Sequence, residues 1–518
     1  MLGIAVTAVT VATAGPAGAV AASAETGAAG APGASPAITI RAVDREGKAV
    51  SATASLDSVS SSPGGVHETL TSGHATRVPT GTYNVAAWVQ EPSGDARTLV
   101  DREVTVTRSA TLTFDARAGH LLKFSVNDPT VVPGVLSAEP WQPATGTWAF
   151  GGFGGSPADG TYIAAGKLPA GWHIFLEADL LRPAAVAGTA LSPVEYDLIR
   201  DLNGSVPSNL TFFSAVSGLA SDHVTVRQLD PGVRGYIAFQ AQLGNGSPLP
   251  SSMFGQSWAA PFSVDFRFTP GYSWSPCASY GTPVCEFEHL NNNPVFGARS
   301  YSQTFGRAAF SPSSVAADVE GTSLRVENGR WLLNDPFFSD ADGLAVASKS
   351  MSLYQGGKLL KQSSGSQMSV KIPFSTLWYR LNLSASRFPG AALAKSVSAS
   401  LTFPAAAQPN GLGNGVDSLW PQVLPALNWL NAARHGSKTA VRIQFGQVYG
   451  VTPTGVTVWA SVNGGKTWYK QRVTSSAGTW SVTVTNPAKA GYVSLRVLTG
   501  ESNGGTTEES LINAYRVS

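Results

Sequence analysis

The sequence predicts an all-β fold built of tandem β-sandwich modules, and three observations support it. Gly accounts for 55 and Pro for 33 of the 518 residues, so turns are dense. Charged residues make up only 13% of the chain, which favours turn-rich β modules over helical bundles. Period-two alternation bounded by Gly turns begins near residue 38 and recurs to the C-terminus. A chain of 518 residues exceeds a single core and implies three or four domains.

The first 24 residues read as a signal peptide. Leu2 to Ala14 is apolar or small and uncharged, and Ala22-Ser23-Ala24 supplies the small residues after which a signal peptidase cuts. The expected mature start is Glu25, followed by a linker over 25–36. The first Lys or Arg is Arg41, so the charged n-region is missing and a start codon further upstream is expected. A disordered Ala/Gly-rich tail is the competing reading. No later apolar run reaches about 18 residues, so no transmembrane anchor is expected in the mature chain. The net charge of +2, without any Lys/Arg run, excludes a nucleic-acid footprint. The expected location is secreted, outside the cell.

A first sandwich is expected over 37–117. Ile38, Ile40 and Ala42 share one face, Asp44-Arg45-Glu46-Gly47 turns, and Val50, Ala52, Ala54 and Leu56 return. Val78-Pro79-Thr80-Gly81-Thr82-Tyr83 is a Pro/Gly turn that sends Tyr83, Val85 and Ala87 into the next strand. Strands at Glu103–Thr107 and Ala110–Phe114 close the unit. The turn resembles the transthyretin-like, carboxypeptidase-regulatory type of sandwich. It is followed by Thr111-Leu112-Thr113-Phe114-Asp115-Ala116-Arg117, then Asp335-Pro336-Phe337-Phe338-Ser339-Asp340 and the segment Ser352–Leu359. Trp378-Tyr379-Arg380-Leu381, Gly491–Val497 and Ile512–Val517 complete the series. In this order the segments resemble the accessory region behind the catalytic domain of large secreted subtilisin-like serine peptidases of high-GC Gram-positive bacteria. The resemblance runs from residue 37 to the C-terminus and is weakest over 118–200. It implies a non-catalytic role, with a β-rich middle region over 118–310 and immunoglobulin/fibronectin-like sandwiches over 311–405 and 406–518.

Cys277 and Cys285 are the chain's only cysteines and flank a short Pro/Gly loop. In an exported protein such a pair reads as a disulfide, since no second CxxC or HxxxH completes a zinc site. Ser461-Val462-Asn463-Gly464-Gly465-Lys466-Thr467-Trp468 follows the Asp-box hairpin, with Asn463 in the Asp place. One copy reads as a folding element: the amide side chain closes the turn, Gly supplies a positive φ and the Trp packs beneath.

A subtilisin-like peptidase needs Asp, His and Ser in that order. Gly321-Thr322-Ser323 lacks the following Met-Ala, His435-Gly436-Ser437 lacks the second His, and the Asp segment is absent. There is no G-x-S-x-G elbow and no H-E-x-x-H. Asp340-Ala341-Asp342-Gly343 is only a fragment of a calcium loop. Gly151-Gly152-Phe153-Gly154-Gly155 has no GK[ST] behind it to make a phosphate cradle.

Glu286 and Glu288 would share one strand face, with His289 on the other. They read either as a polar acid/base or cation cluster or as the solvent face of a disulfide-tied strand. Trp141, Tyr272 and Trp274 are candidate ligand-binding aromatics or else core, while Trp459, Trp468 and Trp480 follow strand alternation into the core. No cofactor and no metal are expected. The sequence thus predicts a secreted, non-catalytic protein that binds an extracellular protein. A carbohydrate or cell-wall polymer binder is the alternative, and a hydrolase using Glu286, Glu288 or His289 is the third.

Overall fold

The computed structural model describes residues 35–518 except 60–65, 95, 145, 150–159, 183–192, 243–248, 250–254, 282–286, 289–296, 313–315, 328–345, 409–413 and 446–449. The expected signal peptide, most of the linker, the glycine tract at 151–155 and the segments at 335–343 lie outside the described residues. What is described is all-β: strands joined by turns, with two short 3₁₀ turns at Ala116–Ala118 and Val216–Gly218. Among the described residues no helix is long and apolar enough to cross a membrane.

Alternation places the first core as the sequence predicts. Strand Ala37–Val43 buries Ile38, Ile40 and Ala42, and pairs with Ala49–Val50, Ala75–Arg77 and, in parallel, Ala110–Asp115. Facing it is a six-stranded sheet in the order His67–Thr71, Thr53–Ser58, Gly81–Gln90, Arg97–Val106, Thr161–Ala164, Gly119–Leu121. Leu56, Val85, Val89 and Phe114 fill the space between the two sheets. The six-stranded sheet therefore takes two strands from beyond residue 117.

The second face of that sheet is not wet. Ala86, Leu99 and Ile163 pack into a second core with Leu136, Trp172, Ile174, Leu176 and Leu198. These come largely from a seven-stranded sheet ordered Thr147–Trp148, Val132–Gln142, His173–Arg182, Val194–Asn203, Phe262–Phe268, Ala220–Val226, Ser300–Phe305. Polar contacts join the two sheets: Arg97 Nη2 donates to the Leu136 carbonyl at 3.3 Å and Gln142 Nε2 to that of Val59 at 3.1 Å. The seven-stranded sheet is also covered on its far side. There Phe175, Phe266 and Phe268 meet Ile237, Phe239 and Trp274 of the sheet formed by Gly255–Ala259, Arg234–Gln242, Ser273–Tyr280 and Phe287–Glu288. Sheets stacked this way bury both faces, so strand His173–Arg182 is enclosed through seven consecutive residues and Ser273–Tyr280 through eight.

The same core continues into the C-terminal half. Its main wall is a nine-stranded sheet that runs Lys358–Ser363, Ser348–Gln355, Leu377–Ser386, Ser396–Ala405, Thr506–Val517, Gly491–Glu501, Pro453–Ser461, Tyr469–Lys470, with Ala432–Ala433 also pairing to Thr506–Val517. Leu353, Leu381, Leu401, Val458 and Val497 point inward. They meet Leu324 and Val326 of one four-stranded sheet and Val441 and Ile443 of another. Ser396–Ala405 pairs directly with Thr506–Val517, from Ser396↔Ile512 to Thr402↔Thr506, so one sheet runs through both segments 311–405 and 406–518.

Candidate functional site

Trp141 and Trp274 are 3% and 1% exposed. The Trp141 indole donates to Asp201 Oδ1 at 3.2 Å and its ring meets Phe175 edge-on at 6.4 Å. Trp274 stacks on Phe268 at 4.7 Å. Both rings are enclosed, so neither offers a face for sugar stacking, and the expected platform there gives way to core packing. Tyr272 is half-buried against the same core; burial first, and then the Asp201 charge, pushes its phenol up. Around Asp201 the fold thus gathers Trp141, Tyr272 and His173, whose Nδ1 lies 2.8 Å from Asp201 Oδ2.

Cys277 is buried on strand Ser273–Tyr280, while Cys285, its expected partner, lies outside the described residues. Glu286 and His289 also lie outside them. Glu288 sits on strand Phe287–Glu288 opposite Cys277.

The Asn463 hairpin forms as its chemistry requires. Asn463 Oδ1 accepts from the Thr467 amide at 3.0 Å, and Ser461 Oγ accepts from the Gly465 amide at 3.0 Å. Gly465 has φ +83°, and a Cβ there would lie 2.7 Å from Ile512 Cδ1 and 3.2 Å from Trp468 Cζ2, so only glycine fits. Trp459 departs from its expected core position. Val458 and Ala460 point inward, and Trp459 stands on the outer face, beneath the Arg496 guanidinium at 5.1 Å from the ring centre.

That outer face of the nine-stranded sheet carries the most distinctive polar surface. Three strands carry serine at alternate positions: Ser348, Ser350 and Ser352; then Ser384 and Ser386; then Ser396, Ser398 and Ser400, with Met351, Leu353, Ala385, Val397 and Ala399 buried on the opposite face. The register aligns them in rows across the sheet. Ser350, Ser384, Ser398 and Ser510 form one row, and Ser352, Asn382, Ser400 and Glu508 the next. Because serine is short, the rows line a trough of about 360 Å³. The hydroxyls of Ser350 and Ser384 bond at 2.8 Å, and Ser400 Oγ donates to Asn382 Oδ1 at 2.9 Å. Each hydroxyl keeps further lone pairs, so donors and acceptors face outward at strand spacing.

Aromatic groups stand further along the same sheet face. Arg380 lies over Tyr354 at 4.8 Å, and Trp378, on the same strand face as Arg380 and Asn382, is 47% exposed. At about 3.3 Å per residue, Trp378 sits roughly 13 Å from Asn382. Glu508 is the single carboxylate of the lining, and Arg496 Nε donates to it at 2.6 Å. The serine alternation was present in the sequence as a signal. The trough was not, because Ser398 and Ser510 become neighbours only through a long-range strand pair.

A second polar group was also missed. Glu177-Ala178-Asp179 and Glu195-Tyr196-Asp197 each place two carboxylates on one strand face, the pattern noted at Glu286 and Glu288. Antiparallel pairing sets Asp179 opposite Asp197 on the buried far side of the seven-stranded sheet. Burial, then the neighbouring carboxylates, pushes the Asp179 carboxyl well above its ordinary range.

No protein-family model matches the chain, and no curated protein does. Among solved structures it is similar to the chicken CNTN1 FN1–FN3 domains at 9% identity, covering 57% of this chain and 94% of that one, with a TM-score of 0.14. A titin segment of three immunoglobulin domains matches at 10% identity over 58% of this chain and 97% of its own, with a TM-score of 0.14. Salmonella alpha-2-macroglobulin reacted with methylamine matches at 10% identity with a TM-score of 0.18; the match covers 93% of this chain and 40% of that one.

Proposed function

We propose that this is an exported, non-catalytic binding protein whose outer nine-stranded face receives a polyhydroxylated polymer such as a cell-wall polysaccharide. The observation that carries the reading is the trough of serine and asparagine rows, with the half-exposed Trp378 further along the same sheet face. Sugars present ring hydroxyls that need paired donors and acceptors, and an apolar ring face that stacks on an indole. A protein partner would be favoured by a contiguous apolar patch, whereas this surface is hydroxyl-lined. Binding without hydrolysis fits the lining as well. Glycoside cleavage ordinarily needs two carboxylates, and Glu508 is the only one there, held by Arg496. Export rests on the apolar N-terminal segment, and the accessory-tail resemblance supports a non-catalytic role.

The test is affinity electrophoresis of the mature chain through gels containing soluble polysaccharides, alongside Ser398→Phe. Ser398 points outward from the sheet, so Phe fills the trough without entering the core. Retardation of the wild type by at least one polysaccharide, abolished by Ser398→Phe, is the expected result. Equal mobility of both proteins in every gel would defeat the proposal.

A further inference from the structure

The buried carboxylates of the seven-stranded sheet form a second site. Strands His173–Arg182 and Val194–Asn203 run antiparallel with Asp179 opposite Asp197 and Leu181 opposite Glu195, which brings Asp179, Asp197 and Glu195 onto one face. The Arg234–Gln242 sheet covers that face, with Phe239 against Phe266 at 4.7 Å and Phe268 at 4.8 Å. One carboxylate oxygen from each of Asp179, Glu195 and Asp197 lies within 4.8 Å of the other two, and all three residues are buried. Asp179 and Asp197 lie close enough for one proton to bridge them. Glu195 is not so placed: at 1% exposure it turns into the same group, and neither of its oxygens has a hydrogen-bond partner.

Three carboxylates enclosed together need positive charge or protons, because burial penalises the ionised form and like charges repel. Among the described residues no Lys, Arg or His forms an ion pair with any of them. A proton can be shared between Asp179 and Asp197. A proton on Glu195 would leave its O–H with no acceptor. A hard divalent cation answers all three groups at once. Calcium takes carboxylate oxygens at about 2.3–2.6 Å, so oxygens mutually within 4.8 Å fit around one ion. Magnesium is smaller, holds its waters and requires stricter octahedral geometry, which suits a closed three-carboxylate group less well.

We propose that Asp179, Glu195 and Asp197 bind a calcium-type divalent cation inside the central sandwich. The ion would pin the two strands on either side of residues 183–192 and neutralise charge that the stacked sheets otherwise enclose. This site is independent of the serine trough.

The experiment uses the mature full chain stripped with a chelator, with calcium ions as the probe. Calorimetric titration is expected to show a saturable equivalent of calcium, and thermal unfolding to shift upward by several degrees in excess calcium. Terbium, a calcium substitute, is expected to emit on tyrosine excitation, because Tyr236 on the covering strand lies close enough to feel the Glu195 and Asp179 charges. Glu195→Gln is expected to lose the thermal shift and the terbium signal. Glu91→Gln, which alters the separate group of Asp44, Glu46 and Glu91, is expected to keep both. Absence of calcium binding by the wild type would overturn the proposal, whatever the variants do. Retention of both signals by Glu195→Gln, or their loss in Glu91→Gln alone, would overturn it as well.

Discussion

Arg387 and Asp230 form a buried ion pair, 2.6 Å between Nη2 and Oδ2, that ties the central sheets to the C-terminal half. Arg387 Nη1 also donates to the Leu393 carbonyl at 2.8 Å, and Asp230 Oδ1 accepts from the Ala392 amide at 2.6 Å. Removing one partner strands the other charge among buried groups. Arg387→Met is therefore expected to cost about 3–5 kcal/mol in urea unfolding, and the double variant Arg387→Met, Asp230→Leu markedly less. A single-variant cost below about 1 kcal/mol would show that water reaches the pair.

Asn431 makes a second tie. Its side chain donates to the carbonyls of Gln228 at 3.0 Å and Gly306 at 2.7 Å, and accepts from the Ala308 amide at 3.0 Å. Its φ of +53° lies in the left-handed region, which asparagine tolerates better than alanine. Asn431→Ala is expected to destabilise by about 2–4 kcal/mol, through buried groups left unpaired and backbone strain. Asn431→Gly, which relieves only the strain, should recover a minor part of that loss in the same measurement.

Asp101 gives the N-terminal half a pH dependence. Both its carboxylate oxygens are shielded where the six-stranded sheet meets the second core, and burial pushes the group up from 3.8 to about 7; Asn84 opposes the shift and Asp57 adds to it. A raised native value means that the folded state holds a proton the unfolded state has released. Stability from this group is full below about pH 4 and falls as pH rises toward 7. Asp101→Asn should flatten that slope and gain on the order of 4 kcal/mol at pH 8. Glu509, enclosed on the inner face of the nine-stranded sheet and likewise pushed up by burial, adds a slope of the same sign. For that reason the comparison is between variant and wild type, by chemical denaturation from pH 5 to 8.

Trp274→Ala is expected to act on stability, at about 3–5 kcal/mol, because the ring is enclosed against Phe268. Calorimetry on that variant should show a lowered unfolding temperature. An unchanged unfolding temperature would return Trp274 to the surface.

What could be read from the sequence was what local chemistry decides. Ile38, Ile40 and Ala42 alternate into the first core, and the Asn463 turn closes on atoms within a few residues of one another. Stacking of sheets could not be read. Alternation assigns Asn84, Glu139 and Asp179 to a solvent face, yet each is buried because another sheet lies over it. Trp459 shows the opposite error: its strand alternates as expected, but the inward face belongs to Val458 and Ala460. Trp141 and Trp274 carry no local mark of which face a second sheet covers, so the sequence leaves surface and core open for both.

The central claim is that the outer nine-stranded face binds a polysaccharide, and a depletion isotherm on washed cell walls or insoluble polysaccharide tests it most directly. Wild type, Trp378→Ala and Trp429→Ala would be compared; Trp429 is 56% exposed and sits in the turn before Ala432–Ala433, not on a strand carrying the serine rows, so it serves as the surface control. Loss of one stacked indole is worth about 1.4 kcal/mol or more, a factor of ten. The account predicts that wild type and Trp429→Ala bind alike, with Trp378→Ala at least about tenfold weaker. Equal binding by all three proteins, or binding by none, would contradict it.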